Sequence, residues 1–99
     1  MTDPTKYTPR PHRTAEEFEA LVAFLDARIE PLRVATAYDS EERKALEALS
    51  SLVHYTKALA ESEIKYGQDN PSNEFYALVT AAWKWKDHPD WQPGWDPAA

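Results

Sequence analysis

"DSEERKALEALSSLVHYTKALAESEIKYG", residues 39–67, contains no proline, and its only glycine is its last residue. Nothing inside it breaks a helix, and its ends carry the right signals. Asp39 or Ser40 can cap the start, with Glu42 three residues after Asp39. Gly67 suits the left-handed residue that closes a helix. The apolar positions Ala45, Leu46, Leu49, Leu52, Val53, Leu59, Ala60 and Ile64 fill a wide arc, roughly 140° at about 100° per residue. A helix with so broad an arc touches two neighbours. This segment is therefore expected to be the central element, roughly 40 Å long at ~1.5 Å per residue.

The flanking segments supply those neighbours. "TAEE" places Thr14 at a helix start with Glu17 three residues on, the capping-box arrangement. Phe18, Leu21, Val22, Leu25, Ile29 and Leu32 then form one stripe, with Phe24 at its edge. Pro31 removes a backbone donor, so a kink or break is expected near Glu30, with helix resuming to about Ala37. After Gly67, Asn70 offers a cap and Pro71 a first helical residue. Phe75, Leu78, Val79, Ala82 and Trp83 make the single face of a third helix running to Trp85 or Lys86. Pro89 ends it. β-Branched residues never alternate over a useful length, so no strand is expected. Short connections imply antiparallel neighbours. The expected fold is all-α: a small three-helix bundle with an irregular, Trp- and Pro-rich C-terminal tail. Residues 1–13 would form a flexible arm, 14–86 the helical domain, and 87–99 a tail packing on the bundle.

Composition narrows the function classes. Ninety-nine residues make one domain, burying about two thirds of the surface its unfolded chain exposes. There is no cysteine, so neither disulfide nor thiolate chemistry is available. "MTDPTKYTPRPHR" has no apolar run and does not read as a signal peptide. No stretch approaches the ~18 apolar residues of a membrane span. A cytoplasmic protein with no membrane role is expected. Seventeen acidic and 11 basic residues give a net charge of −6, which argues against direct nucleic-acid binding.

Catalytic and metal motifs are missing. There is no phosphate-binding glycine loop and no nucleophile elbow. His12, His54 and His88 lie far apart, and none begins a zinc-helix pattern. His54 falls on the polar side of its helix. His88, beside Asp87 and Asp90, is read as a helix C-terminal residue that bonds the last carbonyls. The pairs Glu16/Glu17 and Glu41/Glu42 sit where helix starts favour acid. Neither they nor Glu61/Glu63 form the convergent carboxylates of acid–base catalysis. The expectation is a non-enzyme with no cofactor and no metal.

All four tryptophans, Trp83, Trp85, Trp91 and Trp95, fall within "AWKWKDHPDWQPGW", residues 82–95. Two readings stay open. The tail can fold back as a lid, with Pro93 and Gly94 at the centre of a turn. Alternatively, the rings form a binding patch, since Trp is enriched at interface hot spots. Trp85 lies about 200° around from Trp83 on a helix and is expected to face outward. The candidate interaction surface is Trp85, Trp91 and Trp95 with Tyr76 and Tyr66.

"LVAFLDARI" and "DHPDWQPGW", through Leu21, Phe24, Leu25, Arg28, His88, Pro89, Asp90, Trp91 and Trp95, resemble a family. It is a small family of uncharacterised proteins from high-GC Gram-positive bacteria and their phages. Its members open with a Leu-x-x-Phe-Leu-x-x-Arg helix and close with His-Pro-Asp-(Tyr or Trp) and a later Trp. The resemblance covers the two ends of the chain and not the middle of the central helix. It implies a bacterial or phage origin and no catalytic residue. The leading expectation is a small acidic protein-interaction or regulatory protein, such as a modulator of a host protein. The wide arc of the central helix also allows a homodimer. The alternative is a DNA mimic, whose carboxylate rows (Glu16, Glu17, Glu19, Asp26, Glu30, Glu41, Glu42, Glu47, Glu61, Glu63) occupy a basic cleft.

Overall fold

The computed structural model describes residues 13–67 and 71–95. Three helices follow in order: α1 (Ala15–Ala35), α2 (Glu41–Tyr66) and α3 (Ser72–Ala82). Two short 3-10 turns close the chain, Trp83–Trp85 and Pro93–Trp95. No strand occurs among the described residues. No helix among them is long and apolar enough to cross a membrane.

Local chemistry sets the helix ends. The Thr14 hydroxyl accepts from the Glu17 N–H at 3.2 Å, and the Glu17 carboxylate accepts from the Thr14 N–H at 3.1 Å. This is the full capping box at the start of α1. Ser40 rather than Asp39 caps α2, accepting from the Arg43 N–H at 3.1 Å. Gly67, at φ 63°, ends α2 in the left-handed region, where a side chain would be strained. Pro71, expected as the first helical residue, is instead the N-cap of α3, one place before the observed first residue Ser72, and contributes no side-chain cap. The expected Asn70 cap lies outside the described residues.

Two boundaries differ from expectation. Pro31 does not break α1, which runs through it to Ala35 and stops at an extended Thr36. Pro31 and Ala27, four residues apart, are both on the exposed side. The carbonyl that Pro31 leaves without a donor therefore faces solvent, which can supply the missing bond. At its other end, α3 tightens after Ala82 into a 3-10 turn instead of continuing as α-helix to Trp85.

Side-chain links give the packing directions. His54 pairs with Asp26, Arg33 with Glu47, and Arg43 donates to the Thr36 carbonyl. Partner numbers fall on α2 as they rise on α1, so the two helices are antiparallel. Tyr76 lies beside Arg13, and Trp83 meets Trp91 edge to face, as Trp91 meets Phe24. Helix α3 therefore tracks α1 and opposes α2.

The core gathers Phe18, Leu21, Leu25 and Ile29 of α1 against Val53 and Ala60 of α2 and Phe75, Leu78 and Val79 of α3. Phe18 and Phe75 meet edge to face with centroids 5.2 Å apart. No residue between 30 and 52 is fully buried. Leu32, expected on the core stripe, is half exposed, because α3 covers only the end of the hairpin away from the α1–α2 turn.

Phe18 is fully buried, whereas Val34 is 65% exposed. Phe18→Ala is expected to cost about 3–5 kcal/mol, and Val34→Ala within about 0.5 kcal/mol of zero. Urea unfolding followed by circular dichroism measures both, and equal losses would show that the core is misplaced.

Candidate functional site

The aromatic end forms around Phe24. Its ring meets Trp95 at 5.2 Å, His88 at 5.6 Å and Trp91 at 5.8 Å, all edge to face. Trp91 also meets Trp95 at 5.2 Å, and Trp83 at 5.9 Å. Backbone turns bring the tail back over the bundle. The His88 N–H donates to Trp85, Trp91 to His88, and Trp95 to Gln92, each at 2.9–3.0 Å. The last is the expected turn centred on Pro93 and Gly94. Trp95 is 2% exposed, and Trp85 and Trp91 are half-buried against the core.

The orientation expected for Trp85 is reversed. In a 3-10 turn, residues three apart eclipse one another, so Trp85 lies over the fully buried Ala82. Trp83, one residue past Ala82, is rotated about 120° from it and becomes the most exposed of the four. Lys86 holds its ammonium 4.9 Å from the Trp83 ring.

Arg13 fastens this end. Expected in a flexible arm, it is 7% exposed. It donates to the Glu17 carboxylate at 2.8 Å, the Gly94 carbonyl at 3.0 Å and the Tyr76 hydroxyl at 3.4 Å. Its guanidinium lies 4.3 Å from the centre of the Phe75 ring. One side chain thus joins the start of α1, helix α3 and the tail. Burial alone would raise the Glu17 carboxyl, but the hydrogen bonds from Arg13 and the Thr14 N–H outweigh it and hold Glu17 below the usual 4.5. Burial likewise disfavours the Arg13 cation, and the bonds to Glu17 and Tyr76 overcome it, leaving its pKa raised.

Several of the remaining polar groups are paired. His54 Nε2 lies 3.0 Å from both carboxylate oxygens of the half-exposed Asp26. The His88 ring contacts Arg28 through Nε2, and its Nδ1 accepts from the Asp90 N–H at 3.0 Å. It packs on Phe24 and does not bond the final carbonyls of a helix. No group of three or more His, Asp or Glu side chains among the described residues could hold a metal ion. His12 lies outside them. Many of the acids face cations: Glu17 faces Arg13, Glu30 faces Arg33, Glu41 faces Lys44, Glu47 faces Arg43 and Glu61 faces Lys57.

The apolar surface that stays uncovered lies elsewhere. Leu52, Tyr55, Leu59 and Tyr66 are exposed, and their spacings of three, four and seven residues put them in one line on α2. Exposed Ala45, Ala48 and Ser62 continue the same alternation of three and four. This stripe lies about 100° around the helix from the packed positions Leu46, Leu49, Val53 and Ala60. The wide arc is thus two adjacent stripes, one buried and one open. Of the five candidate interaction residues, only Tyr66 stands on the open stripe. Trp85, Trp91 and Trp95 pack on the core, and half-buried Tyr76 accepts from Arg13. The signal in the sequence is the line of large apolar residues Leu52, Tyr55, Leu59 and Tyr66, spaced by three, four and seven, one residue before the line that packs.

Comparison of the chain with family models, curated proteins and solved structures finds no match in any of the three.

Two outcomes follow for the clasp. The stabilisation held by Glu17 is present above pH 4.5 and is lost as the pH falls through its depressed value. Stability measured against pH should therefore drop on that acid limb, and Glu17→Gln should flatten part of it, leaving the share contributed by Glu30 with Arg33. Arg13→Ala should cost roughly 2–3 kcal/mol and red-shift the tryptophan emission while helical content persists. An unshifted spectrum would show that the tail is held without the clasp.

Proposed function

We propose that this chain works by binding another protein, and that the outer face of α2 is where it binds. The observation that carries this reading is the row Leu52, Tyr55, Leu59 and Tyr66, exposed along α2. Large apolar side chains left in one line on a small domain form the kind of patch that marks association surfaces. Tyrosine suits such a surface, because a flat ring buries much area with little loss of conformational freedom. The tryptophan end serves the fold, since its rings complete the core that the three helices leave open.

The bacterial or phage origin suggested by the two terminal motifs fits a cytoplasmic modulator of a host protein. A catalytic role has no support in the described histidines or in Glu17: His54 is engaged with Asp26, His88 with Arg28 and Glu17 with Arg13. A DNA-mimic role is weakened by the same pairing. Its rows of carboxylates would need to stand free, yet at least five of those acids face a Lys or Arg of their own chain.

The test is capture of partners from lysate of the native host by tagged wild-type protein, a Leu52→Glu/Leu59→Glu variant and a Trp83→Ala variant. All three should fold, because the altered residues are exposed. A specific protein captured by wild type and Trp83→Ala, but not by the α2 variant, is expected. Capture that persists in the α2 variant and vanishes above ~0.5 M salt would replace this reading with the acidic one.

A further inference from the structure

We infer that the open face of α2 pairs with the same face of a second copy of this chain, the two α2 helices running antiparallel about an axis near Lys57. This inference rests on the docking role just proposed: in the free protein the second copy covers the face, and a captured host protein would displace it. Three observations lead to it.

The first is periodicity. Ala45, Ala48, Leu52, Tyr55, Leu59, Ser62 and Tyr66 are all exposed and alternate by three and four. That is the repeat of a helix that meets another helix along its length. The stripe one residue on, Leu46, Leu49, Val53, Thr56, Ala60 and Glu63, keeps the same repeat and is partly or fully buried in the hairpin; the open stripe repeats that pattern with large apolar side chains left uncovered.

The second is area. Leu52 is 61% exposed, Tyr55 65%, Leu59 42% and Tyr66 64%. Together they offer roughly 500 Å² per copy, given about 150–250 Å² for a whole aromatic side chain. Complete burial of these side chains in two copies would remove roughly 1,000 Å² from water, the size of a weak, reversible interface, so the dimer is expected to depend on concentration. A two-fold pairing needs only one such patch, because the same surface serves both sides.

The third is volume, which sets the direction. Antiparallel about Lys57, Ala48 falls opposite Tyr66, Leu52 opposite Ser62, and Tyr55 opposite Leu59. Each pairing then occurs twice. Large residues meet small or medium ones in every layer, the condition for an interdigitated seam. Parallel pairing in register would set Tyr55 on Tyr55 and Tyr66 on Tyr66. It would also leave gaps where Ala48 meets Ala48 and Ser62 meets Ser62. The flanks permit the antiparallel seam: Lys65 falls opposite Ser51, and Thr56 and Ala58 each approach their own counterpart. No like charges are opposed there.

The full chain should sediment as a dimer in a concentration series from about 5 to 500 μM. Leu52→Glu/Leu59→Glu should weaken that dimer by about a hundredfold or more, because it places carboxylates in a dry seam. The chain has no cysteine, so single replacements report geometry cleanly. An equimolar mixture of Tyr55→Cys and Leu59→Cys proteins, mildly oxidised, should give mainly the mixed disulfide. A Leu59→Cys protein that crosslinks to itself instead would overturn the antiparallel seam. A dimer that survives Leu52→Glu/Leu59→Glu would place the interface elsewhere and overturn the inference. A monomer at every concentration would also overturn it. The lysate capture then decides separately whether the docking role falls with it, according to whether the α2 variant keeps or loses its captured protein.

Discussion

A mismatch of helix lengths governs this molecule. Helix α2 has 26 residues and α3 has 11, so at ~1.5 Å per residue the third helix covers less than half of the second. Where α3 reaches, the hairpin of α1 and α2 closes into a core of fully buried side chains. Where it does not, the same hairpin is only two helices thick, and Leu32, Leu46 and Leu49 keep part of their surface in water. The tail extends the covered region sideways over Phe24, but it does not lengthen it toward the α1–α2 turn. The uneven burial along the hairpin follows from this one inequality.

The clasp at Arg13 answers a second problem, that of holding an irregular tail without disulfides. A buried guanidinium is costly unless its charge and its donors find partners. Here it meets a carboxylate, a carbonyl, a phenol and two aromatic faces. Its Nε alone is left without a partner among the described residues. Aromatic packing supplies the area that holds the tail, and the cation sets where the tail sits. Trp95 and Phe24 could pack in many ways, but a hydrogen bond to the Gly94 carbonyl fixes one of them.

The helices were legible in the residues because local signals agreed. The capping box at Thr14, the glycine at position 67 and the core stripes of α1 and α3 all point to the same boundaries within a few residues. Three features were not legible. Pro31 marks a break by local rule, yet the freed carbonyl faces solvent and the helix continues. The switch to a 3-10 turn after Ala82 exchanges the roles of Trp83 and Trp85, and no residue type announces it. Arg13 sits among polar residues and prolines at the edge of the chain, and its partners lie up to 81 positions away. The open stripe of α2 was present in the spacing, but Leu52 and Leu59 merged with Val53 and Ala60 into one broad arc. Only the placement of α1 and α3 separates the two.

That reach of 81 residues bears on the order in which the molecule assembles. The His54–Asp26 contact between α1 and α2 closes a span of 28 residues, and the Arg13–Gly94 contact closes nearly three times as much chain. The extra closure entropy is about 1 kcal/mol. The hairpin can therefore form early from contacts near in sequence, and the clasp and its tryptophans join last. On unfolding the order runs backwards. By that order the aromatic end is the region expected to open first, exposing Phe24 while Phe75, Leu78 and Val79 still hold α3 on the hairpin.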